Sequence, residues 1–373
     1  MRPTVAKIDL RNLAFNLHSC REFIGTDLKY MGVVKADAYG HGAVECARAL
    51  EAEGVDWFGV ALVEEAIELR DAGIKKPILC LGGIAPGQES LFIAKDITAV
   101  IVNIDSAHRF GSEAQARGIT TAVHVKIDTG MGRLGVRWDA LDEFIEQLTT
   151  LKNLRVQGLM THFAAADDPA QNEFTNVQIE RFEVSVRAFE AAGMHPEIVD
   201  LANSPGAVAH PRSRAQMVRL GGVLYGLAGD VLPRNVEKPE LKSVMSLRSI
   251  VTDIKRIPKG DTVGYGRTFK AEKNSTIALL PIGYHDGYRR SLSNRSNVII
   301  NGCLAPVIGR ISMDWTIIDV TDIPEIVIGD EVVLIGAGGD LQITAEDLAA
   351  LAGTISYEIT CGIGGRVPRE YRR

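Results

Sequence analysis

The chain of 373 residues is about two and a half times the usual length of one domain, although an α/β barrel absorbs much of that by itself. Hydrophobic residues at 46% and charged residues at 24% allow a large core and exclude a disordered chain. A net charge of -6 and a pI near 5.8 leave no basic footprint for nucleic acid or an anionic membrane.

The opening MRPTVAKIDL meets charged residues before any apolar run of signal-peptide length, and no later segment is uninterrupted across a bilayer's width. A cytoplasmic protein is expected. Cys20, Cys46, Cys80, Cys303 and Cys361 are scattered, without the close pairs of metal or disulfide frameworks, so they read as reduced packing residues and no metal is expected.

From residue 29 to about 222, apolar runs alternate with helical patterns such as VEEAIELRDAG and ALDEFIEQLTTL. The runs are YMGVVKA, WFGVAL, PILCLG, AVIVN, AVHVKID, VQGLMTHF, IVDLAN and MVRLGG. Eight βα units predict a (β/α)8 TIM-type barrel over residues 1–240, with a short seventh crossover, SPGAVAH. PRNVEKPELKS has the prolines and charges of an exposed connection. Beyond it the runs SIVTDIKRI, STIALLPIG, NVIINGCLAPVIGRI, WTIIDV and EVVLIG predict a mostly β domain over residues 241–373.

Barrel chemistry sits at the carboxyl ends of the strands. Those ends hold Lys35 and Tyr39, Leu81, Lys126 and Asp128 with Arg133 beyond, His162, Asn203 with Ser204, and Arg219 with Gly221. Lys35 stands out: in VVKADAYGHG a β-branched run delivers an ammonium to a strand end, where a lysine ordinarily snorkels outward unless it is paired or reactive. Ser204 followed by Pro205 reads as a helix N-cap, and Gly221–Gly222 permits close backbone approach, so the loops after strands seven and eight suit a phosphate.

A lysine facing a phosphate subsite is either a charge clamp for a phosphorylated sugar or a Schiff-base lysine for pyridoxal phosphate. In the second case Arg219 could meet the pyridine nitrogen. A guanidinium only donates, so that nitrogen would stay unprotonated, the ring would be a weaker electron sink, and prompt reprotonation would be favoured.

These residues resemble the alanine racemases along essentially the whole chain. VVKADAYGHG is similar to the family's cofactor-lysine motif, followed in order by KIDTGMGRLG, THFAAAD, RLGGVLYG, VGYGRTF, GYHDGY, GRISMDW, SYEI and RVPREY. The resemblance implies a pyridoxal 5'-phosphate enzyme that interconverts L-alanine and D-alanine, either supplying D-alanine to the cell wall or degrading it. It implies that Lys35 holds the cofactor, that Tyr39, Ser204, Gly221, Gly222 and Tyr357 surround its phosphate, and that Arg219 faces the ring with His162 behind. Leu81 and Asn203 would line the pocket. Arg133 would take the substrate carboxylate, and Lys126 is the position carbamylated in some members.

Racemisation needs a proton removed from one face of the α-carbon and another returned to the opposite face, which two bases accomplish. By the resemblance these are Lys35 and Tyr265, the latter arriving from the partner of a head-to-tail homodimer together with Met313, Asp314 and the gate residue Tyr284. Two positions depart from the family pattern: Gly222, where a bulkier residue is usual, and Trp315, where glutamine is common. Arg219 weighs against a pyridoxal phosphate decarboxylase, which needs an acidic partner there, and residues 241–373 weigh against a barrel-only cofactor carrier. A racemase-like regulatory protein would bring a membrane segment that the sequence lacks.

Overall fold

The computed structural model describes residues 2–373. The first strand is β1 (Val5–Asp9), and the next are β2 (Lys29–Val33), β3 (Trp57–Val60), β4 (Ile78–Cys80), β5 (Thr98–Ile101) and β6 (Thr121–Asp128). They are followed by the short β7 (Val136–Arg137), β8 (Leu154–Met160), β9 (Ile198–Asp200), β10 (Met217–Leu220) and β11 (Met245–Ile250). Eight of these pair in parallel in the order β5-β4-β3-β2-β10-β9-β8-β6, and pairing of β5 with β6 closes the barrel. All eight apolar runs named above are its strands. The runs are continuous because a parallel strand is buried on both faces.

Strand alternation divides the interior into layers. Met31, Trp57, Leu79, Val100, Met160, Ile198 and Met217, each from a different barrel strand, form a cluster separate from the main core. The remaining strand, β6, contributes His124, whose ring lies 5.4 Å from that of Trp57. Each such buried apolar side chain contributes roughly 1.5–3 kcal/mol. Two residues further along their strands, on the same inward face, come Lys126, Asp200 and Arg219, all at most 5% exposed. An apolar plug thus supports a charged layer just below the barrel mouth.

The second domain is built on two sheets. The larger runs Cys303–Pro306, Asn297–Ile300, Glu331–Gly338, β11, β1 and Arg369–Arg372; the smaller contains Asp253–Ile257, Ser275–Leu280 and Thr316–Asp319. Two features were not read from the sequence. Strand β1 lies in the larger sheet, antiparallel to β11 and parallel to Arg369–Arg372. The run SIVTDIKRI is two strands, divided where Val251 N–H donates to Asp330 O and Thr252 N–H to Leu279 O, one bond toward each sheet. Among the described residues no helix is long and apolar enough to cross a membrane.

Candidate active site at the barrel mouth

Lys35 follows β2 at the carboxyl end of the barrel. The next four residues, Ala36, Asp37, Ala38 and Tyr39, have φ of 52°, 53°, 52° and 55°, a left-handed turn made without glycine. Such a conformation costs an L-residue roughly 1–2 kcal/mol, so its surroundings must hold it. Glu65 clasps its start, accepting from Ala36 N at 2.7 Å through Oε1 and from Ala61 N and Leu62 N at 2.7 and 3.1 Å through Oε2. Asp37 Oδ1 accepts from Ala43 N at 2.7 Å, and Arg369 donates twice to Gly40 O at 3.1 Å. Gly40 has φ +83°, and a Cβ there would meet Thr360 O at 2.1 Å.

The turn swings Tyr39 beneath the mouth, its ring centroid 5.3 Å from that of Tyr357 on the helix Ser356–Cys361. A Cβ on Gly221 would fall 2.6 Å from Tyr39 Oη, and one on Gly222 would fall 2.7 Å from Tyr357 Oη. Ser204 Oγ accepts from Gly221 N at 2.9 Å. Burial pushes both phenols up, so they stay protonated and can donate. The outcome is a floor free of side chains, rimmed by three hydroxyls. It fits a phosphate, and any side chain on Gly222 would need Tyr357 to shift.

One local reading is corrected. The cap of the helix Ser204–Ala209 is Asn203, whose Oδ1 accepts from Gly206 N at 3.1 Å, while Ser204 is the first helical residue. Asn203 has the extended backbone (φ -81°, ψ -178°) that a cap needs, which leaves the Ser204 hydroxyl to link the two loops.

Cations crowd the mouth. Burial and the neighbouring Arg133 push the Lys35 amine down, with Glu65 opposing. Burial, followed by Arg219 and Arg133, pushes Lys126 down to about 8. Arg219 donates through Nη2 to Thr161 O at 2.9 Å and lies 3.2 Å from His162 Nδ1. Burial and that guanidinium hold the imidazole well below its usual range. Because arginine cannot accept, Nδ1 of neutral His162 is the acceptor and its proton sits on Nε2. Leu81 packs against the apolar plug. Arg133 is exposed beyond β6.

The β-domain residues form a second group. Tyr265 stands in the turn Tyr265–Arg267 and is 71% exposed; Met313 is 51%, Trp315 44% and Tyr284 42% exposed. Tyr284 N donates to Ser312 O at 2.9 Å, and Asp314 accepts from Arg366 at 2.8 Å. Among the described residues no hydrogen bond or ring contact joins this group to Lys35 or Arg219. Sequence reasoning missed two acids, Glu65 and Asp200. Asp200 could have been found as an ionisable residue inside the apolar run IVDLAN, since an acid on an inward face needs a partner.

A closed parallel barrel whose strand ends gather a lysine pushed toward its neutral form, a buried guanidinium and a hydroxyl-rimmed glycine pair is a barrel enzyme suited to an anionic, carbonyl-bearing ligand. Residues 8–229 match the model of the alanine racemase N-terminal domain and residues 244–371 that of the alanine racemase C-terminal domain. The chain belongs to the alanine racemase family. It is 40% identical to an alanine racemase of Halothermothrix orenii, over 100% of this chain and 97% of that protein. The alanine racemase of Clostridium difficile 630 superposes with a TM-score of 0.93 at 37% identity, covering 100% of this chain and 96% of that one. The alanine racemase of Bacillus anthracis, solved with bound L-Ala-P, superposes with a TM-score of 0.93 at 33% identity, covering 100% and 96%.

Proposed function

We propose that the protein is a pyridoxal phosphate-dependent racemase that interconverts L-alanine and D-alanine. The observation that carries this reading is Lys35, half-buried at a strand end, pushed toward its neutral form by burial and Arg133, and within the field of Arg219, which can only donate. When bound, pyridoxal phosphate supplies the aldehyde that Lys35 holds and a ring that acidifies the α-carbon of an attached amino acid. Tyr39, Ser204, Gly221, Gly222 and Tyr357 would hold its phosphate, and Asn203 and Leu81 would flank it. Arg219, backed by His162, would meet the ring nitrogen without giving up a proton.

Arg133 would take the substrate carboxylate. Lys35, once released, would move the proton on the face presented by D-alanine. Tyr265 from a second copy would serve the face presented by L-alanine, with Tyr284, Met313 and Asp314 closing the entrance. The exposure of Tyr265, Tyr284 and Met313, with Asp314 half-buried beside them in sequence, supports their use by a partner in a head-to-tail homodimer. Lys126, with its pKa near 8, keeps a fraction of neutral amine at neutral pH, which carbamylation requires; the carbamate would pair with Arg133. Residues 1–240 would bind the cofactor and residues 241–373 would complete the partner's site, with β1 crossing between them. All five cysteines are free, which supports a reducing cytoplasm, where D-alanine would be made for the cell wall or consumed.

The test is to add pyridoxal phosphate to the purified protein, reduce with borohydride and map the modified residue while assaying D-alanine formed from L-alanine. Yellow protein, label on Lys35 and turnover are expected. A colourless, inactive protein would reject the proposal.

A further inference from the structure

We infer that Asp200 is a positioning residue for this site: its carboxylate aims Arg219 and offsets the guanidinium charge beneath the place of the cofactor ring. The inference rests on the reading that Arg219 meets that ring. Asp200 is fully buried at the end of β9, and its Oδ1 accepts from Arg219 Nη1. Nη2 is occupied by the Thr161 and Leu201 carbonyls, at 2.9 and 3.4 Å, and by His162 Nδ1 at 3.2 Å. Among the described residues no hydrogen bond uses Nε of Arg219, so that N–H remains for a ligand. Both terminal nitrogens are held, and the fork is rigid.

Lys35, Lys126, Arg133 and Arg219 act on one another across the mouth, with neutral His162 behind and with Glu65 and Cys361 near Lys35. In this group Asp200 is the carboxylate bonded to Arg219. Its Oδ2 is buried with no hydrogen-bond partner, and Lys126 lies within its field. An unpaired guanidinium would repel a proton held at the Lys35 nitrogen, and pairing weakens that repulsion. A buried carboxylate removed from such a pair leaves its cation uncompensated.

The pH at which the yellow colour of the Lys35-bound cofactor bleaches reads the charge at that nitrogen without any turnover. D200N should lower this midpoint by about one unit and loosen cofactor on dialysis, whereas R219Q should raise the midpoint. The double variant D200N/R219Q, having lost both charges, should titrate near the wild type. A D200N midpoint equal to that of the wild type, or a double variant that titrates like R219Q alone, would overturn the assignment. Should D200N fail to fold, the comparison of R219Q with the double variant decides by itself. A wild type that never turns yellow would instead overturn the proposed function and this inference together; a yellow wild type with an unmoved D200N sinks only the role of Asp200.

Discussion

At the scale of single residues the site is governed by cations held out of water. Lys126 gives up its proton near pH 8 in the folded state, against about 10.5 when unfolded. Between those values the unfolded chain binds the extra proton, so stability from this source rises with pH from about 8 to about 10.5, by roughly 3 kcal/mol in total, and is flat below. Chemical denaturation in carbonate-free buffer at neutral and at alkaline pH should show a rise in the wild type that exceeds the rise in Lys126→Met, where only the contribution of Lys35 remains. The same slope in both would place the titrating group elsewhere. Tyr265→Phe tests a proton carrier: cofactor colour should be unchanged while L-to-D turnover falls on the order of a hundredfold or more. Lys35, Arg219, His162 and Ser204 were legible in the sequence because each stands at the end of an apolar run. Glu65 was not, because what makes it matter is a bond to Ala36 on a turn 29 positions away, and although Asp200 is marked as an acid inside an apolar run, its partner Arg219, 19 positions further on, is not.

Among the elements, the left-handed turn after Lys35 is the one that departs furthest from local preference. Ala36 is exposed and has φ 52°, so glycine there removes backbone strain without opening a cavity. The gain exceeds the added freedom of the unfolded chain, and Ala36→Gly should stabilise the protein by up to about 1 kcal/mol, seen as a higher thermal midpoint. Glu65→Gln should do the reverse. An amide cannot accept through both ends, so at least one of the three N–H groups loses its acceptor, at a cost of roughly 1–3 kcal/mol. A Glu65→Gln protein as stable as the wild type would show that the turn is held by Arg369 and the packing of Gly40 instead. No pattern in VVKADAYGHG announces this turn, since four successive residues adopt it against their own preference. The barrel strands were legible for the opposite reason: burial on both faces writes each as an apolar run. Strand β1 escaped because VAKID alternates like any half-exposed segment and finds its partners, β11 and Arg369–Arg372, only at the far end of the chain.

At the scale of the molecule, among the described residues one chain carries the two halves of the proposed chemistry with no hydrogen bond or ring contact between them. Tyr265, Met313, Trp315 and Tyr284 are between 42% and 71% exposed, a cluster of apolar and aromatic side chains that a monomer would leave in water. A twofold axis that sets this group over the neighbouring barrel would cover it and complete both sites at once, since a C2 interface repeats every contact. The arrangement makes a quantitative prediction. Lys35→Ala and Tyr265→Phe chains should each be inactive alone. Mixed in equal amounts under conditions that exchange subunits, half of the dimers are hybrids, and in each hybrid one site pairs an intact Lys35 with an intact Tyr265. Activity should therefore return to about a quarter of the wild-type value. If both residues served the same chain, every hybrid site would carry one lesion and no activity would return. Distinct affinity tags on the two variants, with recovery of dimers that carry both, would verify that hybrids had formed, so that a null result would count against the shared site and not against the exchange.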